Sequence, residues 1–501
     1  MSDDPVRETG NAKPVTDRAR PVTFGDLFAV PEYRAIYLSL VVSWVGDYLS
    51  KAAISVLVYQ QSRSVLLSAA AFAISFVPWI IGGPLLAALA ERYPYRRVLI
   101  LADLFRMVLV ALLLIPHLPI AVLLLVVFTA SLGTPPSQAA RSAMLPLLVG
   151  RDKLPLALAT NATTGQAAQV FGYLAGATVA AVVSPRAALV ADAVSFGVSA
   201  AVIAIGVRPR PSARTRAERT HLLRESGEGF RLVFGRRTLR SIAVTMFVLT
   251  MFAVVPEGLA AAWATQGTAD PAARGLDQGL IMAAGPLGFV VGGLLTTRLV
   301  RPAWRDRLIR PLAVLSALVL VPALAGPPAA IVAALVAISG IAQGGLTPTL
   351  NGMFVLVLPH GYRARAFGVV QAGMQLSQFS AVMITGLLAD RFWLPRVVGV
   401  WSIGATLVMA ILAARWPGTA AFAAEIQTTA DPAAGERAGR PQPGETASGR
   451  PAETAPAAAD RPNGAGHTPA ATPAGARGTA AKRRTGRRTM RTTTRVTPEG
   501  R

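Results

Sequence analysis

Apolar residues run in blocks of roughly helix length from Tyr37 to Trp416, separated by short polar stretches. A helix that crosses the hydrocarbon of a bilayer needs about 20 mainly apolar residues. Twelve such runs occur, near 37–59, 66–90, 98–116, 119–140, 156–183, 186–207, 239–264, 277–300, 309–325, 328–350, 366–389 and 395–415. Several contain Gly or Pro, which spanning helices accept when neighbours re-satisfy the freed backbone groups. The pattern predicts an all-α membrane protein with twelve transmembrane helices.

The polar stretches alternate in charge. Those after the even-numbered runs are basic: Arg92, Arg96 and Arg97; Arg141, Arg151 and Lys153; nine arginines between Arg208 and Arg237; Arg298, Arg301, Arg305 and Arg307; Arg363 and Arg365. The others are poor, with Arg63, Arg186, Arg274, Arg391 and Arg396. Lys and Arg mark the cytoplasmic side of a membrane. Both termini are therefore expected inside the cytoplasmic membrane, which independently requires an even number of spans.

A repeat runs through the blocks. Thr134, Pro135 and Pro146 are matched by Thr347, Pro348 and Pro359, each 213 residues later (347−134). Gln166 and Gln169 are matched by Gln375 and Gln378, 209 later (375−166), and Gly82 and Gly83 by Gly292 and Gly293, 210 later (292−82). Each run thus corresponds to the run six places on, which predicts two pseudo-symmetric six-helix halves. The expected boundaries are a cytoplasmic segment 1–31, a first half 32–207, a basic linker 208–237, a second half 238–416 and a tail 417–501. Parallel repeats of this kind build transporters whose substrate site lies between the halves, near the midplane.

Composition sharpens this reading. Hydrophobic residues make up 52% of the 501 residues and charged residues only 15%, against about 25% charged in a soluble domain. The net charge of +23 sits in short loops and in the last twenty or so residues. That distribution fits membrane topology better than a nucleic-acid face, and no aromatic residue interleaves the charges of "AKRRTGRRTMRTTTR". The Ala-, Pro-, Thr- and Gly-rich tail is expected to be disordered; its basic end could contact anionic lipid. There is no cysteine, and the four histidines are scattered, so no metal site and no cofactor are expected. No phosphate loop or nucleophile elbow is present, which argues against an enzyme and against direct ATP drive. Residues 1–31 lack the apolar core of a signal peptide. Oligomeric state cannot be read from the sequence.

Charge inside the spans is costly and marks candidate function. Asp47 and Lys51 lie near the middle of the first run, four residues apart and so on one helical face. They could form a neutralised structural pair, since buried ion pairs often are only that. Glu257 is the one acidic residue of the seventh run and stands 210 residues after Asp47 (257−47), the offset of the glycine pairs. The two carboxylates therefore hold equivalent repeat positions, and if both face a shared cavity they could exchange protons with either side in turn. Glu257 has no basic neighbour on its own helix and is the better proton carrier, unless it lies in water at the outer end of its span. At the cytoplasmic edge, Glu91, Arg92, Arg96 and Arg97, with Asp103 and Arg106 paired across a turn, form a candidate conformational latch or simple topogenic charge. Asp192 reads as a local structural group. Candidate cavity residues are Trp44, Tyr48, Gln138, Gln166, Gln169, Trp263, Gln343, Asn351, Gln375 and Gln378, with lipid or interface contact as the alternative for the aromatics.

With "AALAERYPYRR" between the second and third spans, "SQAARSAMLPLL" and "RDKLPLALAT" between the fourth and fifth, and "GYLAGA" in the fifth, the chain from about residue 24 to 416 resembles the major facilitator superfamily, in particular its bacterial drug, macrolide and siderophore exporters. "AALAERYPYRR" occupies the place of the loop-two signature Gly-x-x-x-Asp-Arg-x-Gly-Arg-Arg, with Ala87, Glu91, Pro94 and Tyr95 substituted and Arg92 and Arg96 retained. "SQAARSAMLPLL" with "RDKLPLALAT" is similar to the fourth-to-fifth connection. "GYLAGA" keeps Gly172 and Gly176 of the exporters' span-five signature as helix-packing glycines, with Tyr173 and Ala177 in place of Pro and Gly. The resemblance implies a secondary active transporter that moves a small amphipathic compound outward in exchange for protons, by alternating access. An importer or lysolipid translocase of the same fold, or a transport-inactive membrane scaffold or sensor, remains the alternative. Expected partners are a small-molecule substrate, protons and membrane lipid, and not nucleic acid.

Overall fold

The computed structural model describes residues 22–80, 93–210, 222–359, 362–418 and 422. Among these residues all regular structure is helical. A short helix α1 (Phe24–Phe28) precedes α2 (Pro31–Ser62), α3 (Val65–Ala73, carried on by the 3-10 turn Ile74–Phe76), α4 (Tyr95–Leu112), α5 (Ile120–Ser131), α6 (Thr134–Val182) and α7 (Pro185–Gly206). Then come α8 (Leu222–Gly235), α9 (Arg237–Ala253), α10 (Val255–Gly267), α11 (Pro271–Leu299), α12 (Pro302–Leu318), α13 (Ala329–Val357), α14 (Arg363–Arg391) and α15 (Leu394–Ala414).

The helix ends follow local chemistry. Pro opens α2, α7, α11 and α12 in the first turn, where its missing N–H costs nothing. The side chains of Ser64, Ser184 and Asp270 accept hydrogen bonds from the backbone N–H of Leu67, Ala187 and Ala273, capping α3, α7 and α11. Inside α6, Gly150 takes φ 73°, a left-handed conformation that glycine adopts without penalty. It divides α6 into 134–149 and 151–182, so the fifth apolar run begins earlier than its hydropathy suggests. The seventh run breaks at Val254: Pro256 cannot donate to Phe252 and its ring crowds that carbonyl, so α9 ends and α10 begins at mid-run.

Nine helical stretches are long and apolar enough to cross a membrane among the described residues. One of them, Ile120–Val182, contains both the fourth and the fifth runs. Val65–Ile80 is a shorter apolar helix, and α4 is disqualified only by Arg96, Arg97, Asp103 and Arg106. The arrangement is consistent with twelve spans. Gly82 and Gly83 of the repeat, Glu91 and Arg92 of the latch, and most of the segments 1–31 and 417–501 lie outside the described residues.

Close helix contacts use small residues, the usual solution where lipid supplies no hydrophobic drive between helices. A Cβ on Gly176 of α6 would lie 2.7 Å from Leu49 Cα of α2, and one on Gly172 would lie 2.6 Å from Tyr48 Cβ. Part of the expected linker is ordered: α8 buries Val233 and packs on α14, where Arg365 and Glu228 form an ion pair of 2.7 Å.

Candidate binding cavity

Helices α2–α7, the α9–α10 break and α14 enclose a cavity of about 610 Å³. Its wall on α2 carries Trp44, Asp47, Tyr48, Ser50 and Lys51, one turn apart on one helical face. Opposite stand Glu257, at the first turn of α10, and the glutamines of α14. Between them the lining is apolar, with Phe72, Phe76, Trp79, Val110, Leu113 and Phe196. A smaller side pocket of about 110 Å³ opens beside Glu257 and is lined by Gln166, Gln169, Ser339 and Gln343.

The charges pair differently from the sequence expectation. Asp47 does not pair with Lys51: its carboxylate is bound by Arg106, which reaches over from α4 and stacks on the Phe196 ring, 4.1 Å from its centroid. The guanidinium is longer than the ammonium arm and offers a fork of donors, so it takes the carboxylate across the helix interface. Lys51 instead points into the cavity above the Tyr48 ring, with no ion pair within 4.0 Å among the described residues. Asp103 does not pair with Arg106 either. It is fully buried, accepts a 2.6 Å hydrogen bond from the Ser199 hydroxyl and stands 3.8 Å from Arg141. These contacts tie α4 to α2, α6 and α7, so Asp103 and Arg106 brace the helices of one half. Arg96 donates to the Ala204 carbonyl at 2.6 Å, joining the start of α4 to the end of α7.

Glu257 does not stand at the end of its helical stretch. It occupies the interior of the Arg237–Gly267 stretch, half-buried, on the wall of both cavities. Its carboxylate accepts a 3.4 Å hydrogen bond from the Tyr173 hydroxyl of α6. Asp192, read from the sequence as a structural group, lines the main cavity. It is nearly inaccessible at 1% exposure, and Ser195 donates to it. The sequence hid it because its neighbours Ser50, Asp47 and Arg106 come from other helices.

Of the other candidates, Trp44, Tyr48, Gln138, Gln169, Gln375 and Gln378 line the main cavity, and Gln166 and Gln343 the side pocket. Trp263 and Asn351 do not line either. Trp263 follows Glu257 by six residues, about 120° around the helix, and packs in the apolar core. Asn351 lies two turns beyond Gln343 on α13, past the end of the side pocket. Gln371 is a lining residue that the repeat did not flag.

Contacts between residues 22–207 and 237–418 are concentrated on one side of the cavity. Asp390 at the end of α14 accepts hydrogen bonds from Ser64 Oγ (2.7 Å) and from the N–H groups of Val65 (2.5 Å) and Leu66 (3.3 Å), at the start of α3. Gln278 of α11 donates to the Ala52 carbonyl at 3.0 Å, and Thr265 to the Tyr59 hydroxyl at 3.4 Å. Near the same end, a Cβ on Gly275 of α11 would lie 2.8 Å from the Ala177 carbonyl of α6. Apart from Tyr173–Glu257 at mid-depth, these are the hydrogen bonds that cross between the two sets among the described residues. All lie toward the turns that carry few basic residues.

A bundle of helices long and apolar enough to span a membrane, packed around a half-polar cavity, has the architecture of a membrane transporter. The chain belongs to the Major Facilitator Superfamily, whose sequence profile matches residues 36–303 and again residues 268–443. Over 233 residues it is 24% identical to Macrolide efflux protein A of Streptococcus pyogenes, a match covering 45% of this chain and 56% of that protein. The chain thus matches little more than half the length of that relative. Among solved structures, a POT family transporter in complex with 5-aminolevulinic acid superposes with a TM-score of 0.63 at 10% identity, covering 79% of this chain and 98% of that one. The nucleoside transporter NupG gives 0.59 at 12% identity, covering 76% and 98%. A bacterial homologue of the iron transporter ferroportin, in an inward-facing state, gives 0.57 at 14%, covering 78% and 99%. At these identities the likeness shows the fold alone.

Proposed function

We propose that the protein exports a small amphipathic compound in exchange for protons, by rocking of two six-helix halves (32–207 and 238–416). The observation that carries this reading is Glu257, a half-buried carboxylate at a mid-span helix break, facing both the main cavity and the side pocket. In the interior of a membrane an ionisable group facing a cavity is a functional candidate by default. Tyr173 donates to its carboxylate, Lys51 faces it across the cavity, and no cation lies within ion-pair distance of it among the described residues.

Asp47 is the less suitable carrier, because Arg106 already occupies it. On this reading the basic turns face the cytoplasm, the contacts of Asp390 with the start of α3 close the outer side, and the state is inward-facing. In the proposed cycle, cargo enters from the cytoplasm and lies between the Phe72–Phe76–Trp79 surface and the glutamines of α14. Glu257 releases its proton inward. Outward opening parts the Asp390–α3 contact, exposes Glu257 to the outside and lets a proton return as cargo leaves. The apolar and polar faces of the cavity suit an amphipath. The relative named for macrolide efflux supports outward movement and places macrolides first among compounds to assay.

The test is Glu257→Gln in reconstituted vesicles with an imposed pH gradient. The variant is expected to insert and to exchange cargo across equal pH, while gradient-driven accumulation falls to the level of empty vesicles. Accumulation equal to wild type overturns the proposal.

A further inference from the structure

On the membrane-facing side, away from the central cavity, α9, α14 and α15 form a groove of about 580 Å³. Its walls include Phe252, Leu388, Phe392, Val400 and Val408, and its one charged lining residue is Arg396. Arg396 stands at the mouth, in the first turn of α15, with its guanidinium 5.7 Å from the centre of the Trp393 ring. Phe392 and Trp393 are exposed beside it, as aromatic side chains are at a membrane–water interface. From Arg396 to Val408 the groove follows α15 for about 18 Å, slightly more than one leaflet of a ~30 Å hydrocarbon core.

Beyond Arg396, the rings of Trp401 and Phe252, 5.4 Å apart, wall the groove. Further down, a Cβ on Gly404 would meet nothing within 4 Å, so the groove floor is open at that point.

We propose that this groove binds one phospholipid: an acyl chain fills it and the phosphate pairs with Arg396 at the level of Phe392 and Trp393. The site has a mechanical consequence. Met251 and Phe252 form its inner wall and end α9 immediately before the break at Val254 and the Glu257 turn. A chain in the groove therefore braces the hinge that carries Glu257. The lipid site itself stands whether or not Glu257 carries protons.

The experiment is a titration of the purified full-length protein with phosphatidylglycerol, read by native mass spectrometry from detergent. Wild type is expected to retain one lipid more tightly than any further copies. Gly404→Phe, whose Cβ would meet no protein atom within 4 Å, should weaken that first binding about tenfold, the cost of displacing roughly two buried methylene groups. Arg396→Gln should keep chain binding but lose the preference for phosphatidylglycerol over a neutral diacylglycerol. Should Gly404→Phe unfold, Val400→Trp fills the groove from an exposed position and replaces it. Equal first-lipid binding by wild type and both variants overturns the proposal. So does a groove-filling variant that changes only the oligomeric state, which would make the groove an interface between copies.

Discussion

Arg106→Met removes the cation from a buried ion pair and strands Asp47. Arg106 is 6% exposed, and the Asp47 side chain 20%. Removing one partner of a buried pair costs about 3–5 kcal/mol, because the remaining charge keeps its desolvation penalty and loses its compensation. Asp47 borders the cavity, where water can reach its edge, so the lower end of about 3 kcal/mol applies. Lost stacking on Phe196 adds up to roughly 1 kcal/mol. Asp47→Asn/Arg106→Met removes both charges and should recover at least half of the loss. The assay is thermal denaturation of wild type, the two single variants and the double variant in one detergent, read as a double-mutant cycle. A double variant no more stable than Arg106→Met would refute the reasoning. It would mean that Asp47 is stabilised by something other than Arg106, with Lys51 as the first alternative.

Three further outcomes follow from other contacts. Asp390→Ala removes three hydrogen bonds to the start of α3 and should shift the equilibrium by about 1–2 kcal/mol toward the state open on that side. Because the chain has no cysteine, spin labels on introduced cysteine pairs across that opening can read the populations without background. Gly176→Ala pushes a methyl group onto the Leu49 backbone and should destabilise the fold by about 1–3 kcal/mol; an unchanged denaturation midpoint would show that α6 and α2 can part freely. Asp192→Ala removes a buried acceptor of the Ser195 hydroxyl and should destabilise the fold by about 1 kcal/mol; an unchanged denaturation midpoint would show that Asp192 does not brace α7.

The helices were legible in the sequence because lipid imposes a length and a polarity on every span, and both survive without knowledge of neighbours. The repeat offset likewise directed attention to Glu257, which does line the cavity. Pairings were not legible. Asp47 with Lys51 and Asp103 with Arg106 looked like partners because helical spacing is the one distance a sequence supplies. The structure instead connects Asp47 to Arg106, and Asp103 to Ser199 and Arg141, across helix interfaces that no spacing rule reveals. The same limit hides the surroundings of Asp192, whose neighbours Asp47 and Ser50 belong to α2. Trp263 and Asn351 match cavity residues by type alone, and helical phase and depth set them away from the cavity. The break at Val254 could have been found from Pro256, which sits inside an otherwise continuous apolar run.

The central claim is that Glu257 carries the proton that drives cargo. It is tested most directly by trapping a pH-sensitive dye inside vesicles containing the protein and adding a macrolide to one side. Wild type should move protons opposite to the cargo, and Glu257→Gln should move cargo down its own gradient with no dye response. A dye response in Glu257→Gln as large as in wild type would contradict the account.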